Sequence, residues 1–178
     1  MTRLPAFVAA LALSILSGCS SRDQVDLPSS IAISPDFSTE QVQTILFALE
    51  QWKQATNGVA DLSPHIGTDG FTIAPTLTDG GEHSGRAYVN GSTGVFRISI
   101  YTDPIKLAQA AIDPGTDTVL LQTVLHELGH TFGIIRHLDA GLMSPYVDAS
   151  RPCIDALALE SFCMNYQCPA GIHPTCAD

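Results

Sequence analysis

Residues 126–137 read HELGHTFGIIRH, so three of the six histidines of this 178-residue chain fall within twelve positions, with Glu127 set between the first two. His126 and His130 are four residues apart. On an α-helix that spacing stacks two side chains on one face, one turn apart, as two nitrogen ligands of a single zinc ion require. An ordinary amphipathic helix with two histidines on its polar face is the plainer reading, but it leaves the crowding of imidazoles and the residues that follow without a reason. A catalytic zinc takes three protein ligands and keeps one position open. The chain must therefore leave the helix sharply and bring a third ligand back. Gly133, three residues after His130, can take a positive φ and supply that exit. Candidates for the third ligand are His137, Asp139 and Glu160, and Glu127 is the natural partner for a water at the metal.

HELGHTFGIIRH followed by LDAGLMSPY resembles the metzincin metalloproteases, whose pattern is HExxHxxGxxH or HExxHxxGxxD followed by a methionine turn beneath the metal. The resemblance implies a zinc-dependent endopeptidase with His126 and His130 as ligands, Glu127 as general base, and Met143 packed under the histidines without touching the ion. One departure matters. The family places its third ligand three residues after the glycine, where this chain has Arg136, which stays protonated and cannot ligate. His137, one residue later, is the expected ligand, reached by a one-residue bulge over 134–136. Asp139 is the second choice, as in the aspartate variants of the family. Glu160 would imply a thermolysin-like arrangement and leave Gly133 and Met143 without a role.

Met143-Ser144-Pro145 matches the Met-x-Pro of the matrixin branch. That match implies a substrate pocket bordered by Ser144, Pro145 and Tyr146, with Tyr146 in its wall. Branches that use a tyrosine at the metal carry it two residues after the methionine, here Pro145, so Tyr146 is not expected as a ligand. The resemblance is specific over 126–146 and architectural elsewhere. It places the family's substrate-binding edge strand at 85–90, and an edge strand can hold an extended peptide by backbone hydrogen bonds.

Residues 1–18 read as a secretory signal: Arg3 precedes an apolar run from 4 to 16 that is too short for a membrane span. The sequence Leu16-Ser17-Gly18-Cys19 resembles a bacterial lipobox, which implies a lipid on Cys19. Residues 19–36, mostly polar with two prolines, read as a tether, and 37–178 as the peptidase domain. Ser20 after the cysteine points to the outer membrane if the source is Gram-negative. A formal charge of −10 argues against nucleic acid and against electrostatic adhesion to anionic lipid, leaving the acyl anchor as the route to a membrane. A monomer acting on peptide or protein is expected.

The other four cysteines, 153, 163, 168 and 176, read as two disulfides in an exported chain. A helix over 154–162 would hold Cys153 and Cys163 about 15 Å apart, beyond bonding reach. Two pairings stay open: 153 with 168 and 163 with 176, or 153 with 176 and 163 with 168. A second zinc site built from these cysteines is the lesser alternative.

An apolar stripe at 42, 45, 46, 49 and 52 predicts a first helix over 38–56, with Ser38 and Gln41 as a capping box and Asn57-Gly58 as its end. Short strands are expected near 59–62, 71–74 and 86–90, and a stronger one at 95–101, with a hairpin connection at 90–94. A short helix is expected at 105–112 and a long one at 118–131 carrying the histidine motif. This order predicts an α+β domain of metzincin-like (zincin) type, a twisted mixed sheet packed with two long helices plus a C-terminal helix. Asp79-Gly80-Gly81-Glu82-His83 lies where matrixins carry calcium and structural-zinc loops; it departs from their pattern and reads as a solvated turn, with Ca2+ as a secondary cofactor expectation. His65 and His173, each beside a proline, read as surface residues. Arg151-Pro152-Cys153 resembles an inhibitory cysteine switch only faintly, and disulfide pairing is the expected fate of Cys153. A different functional class is a surface lipoprotein that binds zinc or a protein partner with weak or no catalysis, the extra residue before His137 having spoiled the site.

Overall fold

A computed structural model describes residues 27–77, 84–89, 96–102, 118–146, 150 and 152–176. Helix α1 spans Thr39–Ala55. Its start is closed reciprocally: the Gln41 amide donates to Ser38 Oγ at 3.3 Å and the Ser38 amide donates to Gln41 Oε1 at 2.9 Å. The stripe of the sequence becomes its buried face, Ile45, Ala48, Leu49, Trp52 and Ala55. Asn57 and Gly58, both at positive φ, end it.

Five strands form one mixed sheet: β1 (Ser30–Ile33), β2 (Ser63–Ile66), β3 (Thr72–Thr76), β4 (Gly85–Val89) and β5 (Phe96–Tyr101), in the order β2-β1-β3-β5-β4. The first three pairings are parallel, and β4 alone runs antiparallel, along β5. The parallel strands place Ile31, Ile33, Ile73, Ile98 and Ile100 in the core. Helix α2 (Thr118–Thr131) packs there too, joined to α1 by the Trp52 indole, which donates to the Leu125 carbonyl at 3.0 Å. Trp52 also meets Phe132 edge-on, with ring centroids 5.2 Å apart, and packs near Phe162 of α3 (Ala156–Cys163). The α+β class with a mixed sheet is as expected.

Three expectations need correction. Residues 30–33 are not tether: β1 lies between β2 and β3, with Ile31, Ala32 and Ile33 at most 1% exposed. A strand covered on both faces needs only a short continuous apolar run, and three such residues among serines and prolines leave no period to detect. The second strand lies at 63–66 rather than 59–62. Ala60 and Leu62 are buried ahead of it, while the strand itself is exposed at the sheet edge, where Pro64 removes no needed donor. Helix α3 begins at Ala156, because Asp155 serves as its N-cap and accepts from the Ala158 amide at 2.9 Å.

Of the two open cysteine pairings, the structure has Cys153–Cys176 and Cys163–Cys168, with Cα atoms 5.0 and 5.3 Å apart. His65 and His173 are exposed, His65 beside Asp69 at 3.4 Å. The helix expected at 105–112, the hairpin connection at 90–94, the glycine-rich loop at 79–83, Cys19 and Arg151 lie outside the described residues.

Candidate metal centre

Helix α2 presents His126 and His130 on one face, their ring centroids 4.7 Å apart. It ends in a Schellman motif. The Ile134 amide donates to the Gly129 carbonyl and the Gly133 amide to the His130 carbonyl, both at 3.0 Å, with Gly133 at φ +87. The left-handed glycine reverses the chain, and Ile135 and Arg136 project into solvent before His137 comes back. Its ring lies 5.2 Å from that of His126 and 5.1 Å from that of His130. One ligand atom from each of the three histidines falls within 4.8 Å of the others, and neither Asp139 nor Glu160 belongs to this group.

Each helical imidazole has its tautomer fixed by a carbonyl. His130 Nδ1 lies 2.7 Å from the Ile134 oxygen and His126 Nδ1 lies 2.8 Å from the Leu142 oxygen. A carbonyl only accepts, so both Nδ1 atoms carry the proton and both Nε2 atoms expose a lone pair. His130 Nε2 is 3.3 Å from His137 Nε2. Zinc–nitrogen bonds of about 2.0–2.1 Å in a tetrahedral site set two nitrogens about 3.3 Å apart. The three imidazoles therefore fit a metal ion in donor chemistry, tautomer and spacing. Such a donor set suits zinc as well as copper, iron or nickel.

Burial prepares the same state. Removal from water pushes the His126 pKa down to about 4, against a smaller upward pull from the Leu142 carbonyl, and lowers that of His130 for the same reason. Both rings are thereby held neutral, the form a metal accepts.

Glu127, one residue after His126, lies on the adjoining flank of α2, under strand β4. Gly85 makes room for it: a Cβ at that position would come within 3.0 Å of Glu127 Oε1 and 2.7 Å of Thr123 Cγ2. The Ala87 amide donates to the carboxylate, while Oε2 is buried and has no hydrogen-bond partner among the described residues. Burial raises the Glu127 pKa to about 7, outweighing the Ala87 hydrogen bond and the charge of Arg86.

Beneath the histidines the loop after His137 closes on itself. The Leu138 amide donates to the Met143 carbonyl at 2.9 Å, and the Ser144 amide to the Gly141 carbonyl at 3.1 Å. Met143 is fully buried against Gly129 of α2. Ser144 is half-buried, whereas Pro145 and Tyr146 face solvent, Tyr146 at 80% exposure.

Sequence reasoning named the side chains and missed their supports: the carbonyls of Ile134 and Leu142, the Ala87 amide, and Asp155, whose carboxylate accepts from both the Leu142 and Ala158 amides. Backbone groups carry no residue signature. Asp155 was hidden because the expected helix began before it. No protein-family model, curated protein or solved structure matches the chain.

Proposed function

We propose that this chain is a zinc-dependent endopeptidase of metzincin type, closest to the matrixin branch. The observation that carries the reading is the convergence of His126, His130 and His137, on a helix that also carries Glu127, whose buried carboxylate oxygen has no partner among the described residues. Three further features support it: the glycine exit at 133, the buried Met143 under the helix, and the position of β4 as an antiparallel edge strand next to Glu127. The residue inserted before His137 is accommodated by the exposed pair Ile135 and Arg136, so the departure from the family spacing leaves the cluster intact.

His126, His130 and His137 would hold a zinc ion, which when bound would supply Lewis acidity toward a peptide carbonyl and a water. Glu127 takes the proton of the attacking water and delivers it to the leaving amine. The Ala87 amide holds one side of the carboxylate, so the other is presented in a fixed orientation. Strand β4 binds the substrate as an added strand through the edge not paired with β5, which aligns the scissile bond along the helix bearing Glu127. Ser144, Pro145 and Tyr146 border the pocket for the residue after the cleaved bond.

The two disulfides fit an exported protein. No helix among the described residues is long and apolar enough to cross a membrane. Export to the cell envelope and acylation of Cys19 belong to this proposal.

Metal analysis of the purified protein, with cleavage of an unstructured protein before and after chelation, tests the reading. One zinc per chain and chelator-sensitive cleavage are expected. Bound zinc with no cleavage of a broad peptide library would instead leave a zinc-binding surface module.

A further inference from the structure

His130 and His126 are oriented by different means. The carbonyl that fixes His130 belongs to Ile134, four residues away in the turn that ends the same helix. His126 is fixed by Leu142, sixteen residues downstream, in a loop that must itself be held in place. We infer that Asp155 is the positioning residue of the metal centre and holds His126 through the backbone of Leu142. The inference rests on the reading of the three histidines as a metal site.

Asp155 Oδ1 accepts from the Ala158 amide at 2.9 Å and caps α3. Its Oδ2 accepts from the Leu142 amide. Leu142 is thus gripped at both ends, its amide by Asp155 and its carbonyl by His126 Nδ1, which donates to it at 2.8 Å. Capping needs one oxygen, and serine or threonine would do it as well. The second oxygen is what an aspartate adds. Gly141 allows the approach: a Cβ there would overlap the carboxylate, and its φ of +77 turns the loop toward α3.

Asp155 is in turn anchored. The Ile154 amide donates to Thr175 Oγ1 at 2.8 Å, the Thr175 amide donates back to the Ile154 carbonyl at 2.9 Å, and the Thr175 hydroxyl donates to Gln51 Oε1 of α1 at 2.8 Å. The Cys153–Cys176 bond closes the same clasp. A line of contacts therefore runs from α1 through the C-terminal segment to Asp155, Leu142 and His126. Its chemical effect is to keep the proton on Nδ1, so that Nε2 offers its lone pair to the ion. Partners that fix a ligand's orientation in this way are worth about 10- to 100-fold in metal affinity.

Asp155→Ser keeps an oxygen for the cap and cannot reach Leu142, while Asp155→Asn leaves an NH2 group facing one of the two amides. For both, zinc affinity is measured against a chromophoric chelator. The imidazole tautomers of the metal-free proteins are read from long-range nitrogen–proton NMR spectra. The expected result is zinc binding weakened about 10- to 100-fold, with the His126 signal moving to mixed tautomers and that of His130 unchanged. Wild-type zinc affinity with His126 still protonated on Nδ1 in Asp155→Ser would reduce Asp155 to a helix cap and overturn the inference. A wild-type His126 protonated on Nε2 would overturn it without any variant. Failure of the wild type to bind zinc would sink the metal reading instead, and the tautomer spectra would still decide whether Asp155 orients His126.

Discussion

The sulfur of Met143 occupies the space a side chain on Gly129 would need: a Cβ there would come within 2.5 Å of Sδ and 3.4 Å of Trp52 Cζ2. The methionine turn and the histidine helix meet through this absent methyl group, one residue before His130. Gly129→Ala should therefore destabilise the fold by about 1–3 kcal/mol through overpacking, although alanine is the better helix former. Urea denaturation of the metal-free protein measures this. Unchanged or raised stability would mean that the methionine yields easily and does not brace the helix.

The third ligand can be separated from its neighbour in sequence. His137→Ala should weaken zinc binding by at least tenfold, because the site then offers two nitrogens where three are needed, whereas Asp139→Asn should leave affinity within about twofold. Competition titration gives both values. The reverse order would assign the metal to Asp139, which is exposed and outside the histidine group.

Glu127→Gln preserves the shape of the side chain and removes its basicity. Peptide turnover should fall about 10²- to 10⁴-fold, the usual range for loss of a general base, with zinc still bound at one per chain. Residual cleavage near the wild-type rate would show that another group takes the proton.

Acid stability of the metal-free protein follows from burial. The folded pKa values of His126, about 4, and His130 lie below the unfolded value of 6.5, so their contribution is complete above pH 6.5 and is lost as pH falls toward 4. Glu127 opposes them, since its folded value of about 7 exceeds 4.5 and its contribution is lost as pH rises through that interval. Between pH 4.5 and 6.5 His126 and Glu127 offset each other, so the lowered pKa of His130 decides the sign. Stability in chelator should fall between pH 6.5 and 4.5, by about 1.4 kcal/mol per pH unit for each net proton taken up. Glu127→Gln, which removes the opposing group, should make the fall steeper. Equilibrium unfolding at stepped pH checks both slopes, and a flat profile for the variant would contradict the account.

The two disulfides close loops of different size, 23 and 5 residues in separation. In the chain-entropy picture, replacing both cysteines of the 153–176 bond by serine should cost about 3 kcal/mol and those of the 163–168 bond about 2 kcal/mol. Thermal unfolding of the two double variants ranks them. The inverse ranking would mean that the short loop is the one preorganising the C-terminal segment.

Legibility in the sequence followed how locally each feature is determined. The capping box of α1 is a contact between residues three apart, and the His126–His130 pair needs only helix geometry, so both could be read directly. His137 required one conformational assumption, a bulge after Gly133, and the left-handed glycine with Ile135 and Arg136 turned outward supplies it. Strand β1 escaped because burial on both faces erases alternation, and the second strand because the apolar residues near it pack below the strand rather than in it. Asp155 and Leu142 act through hydrogen bonds formed only after distant segments meet. No spacing rule reaches them.

The burial of Ile31, Ala32 and Ile33 inside the sheet also bears on reach. Leu27 already packs against the core, so only eight residue steps separate Cys19 from the folded body. Whatever path those residues take, they span at most about 30 Å, roughly the thickness of a bilayer's hydrocarbon layer. With a lipid on Cys19, the folded domain would be held on a short leash beside its membrane, and proteins displayed on that surface would be presented to it at effective concentrations near the millimolar range.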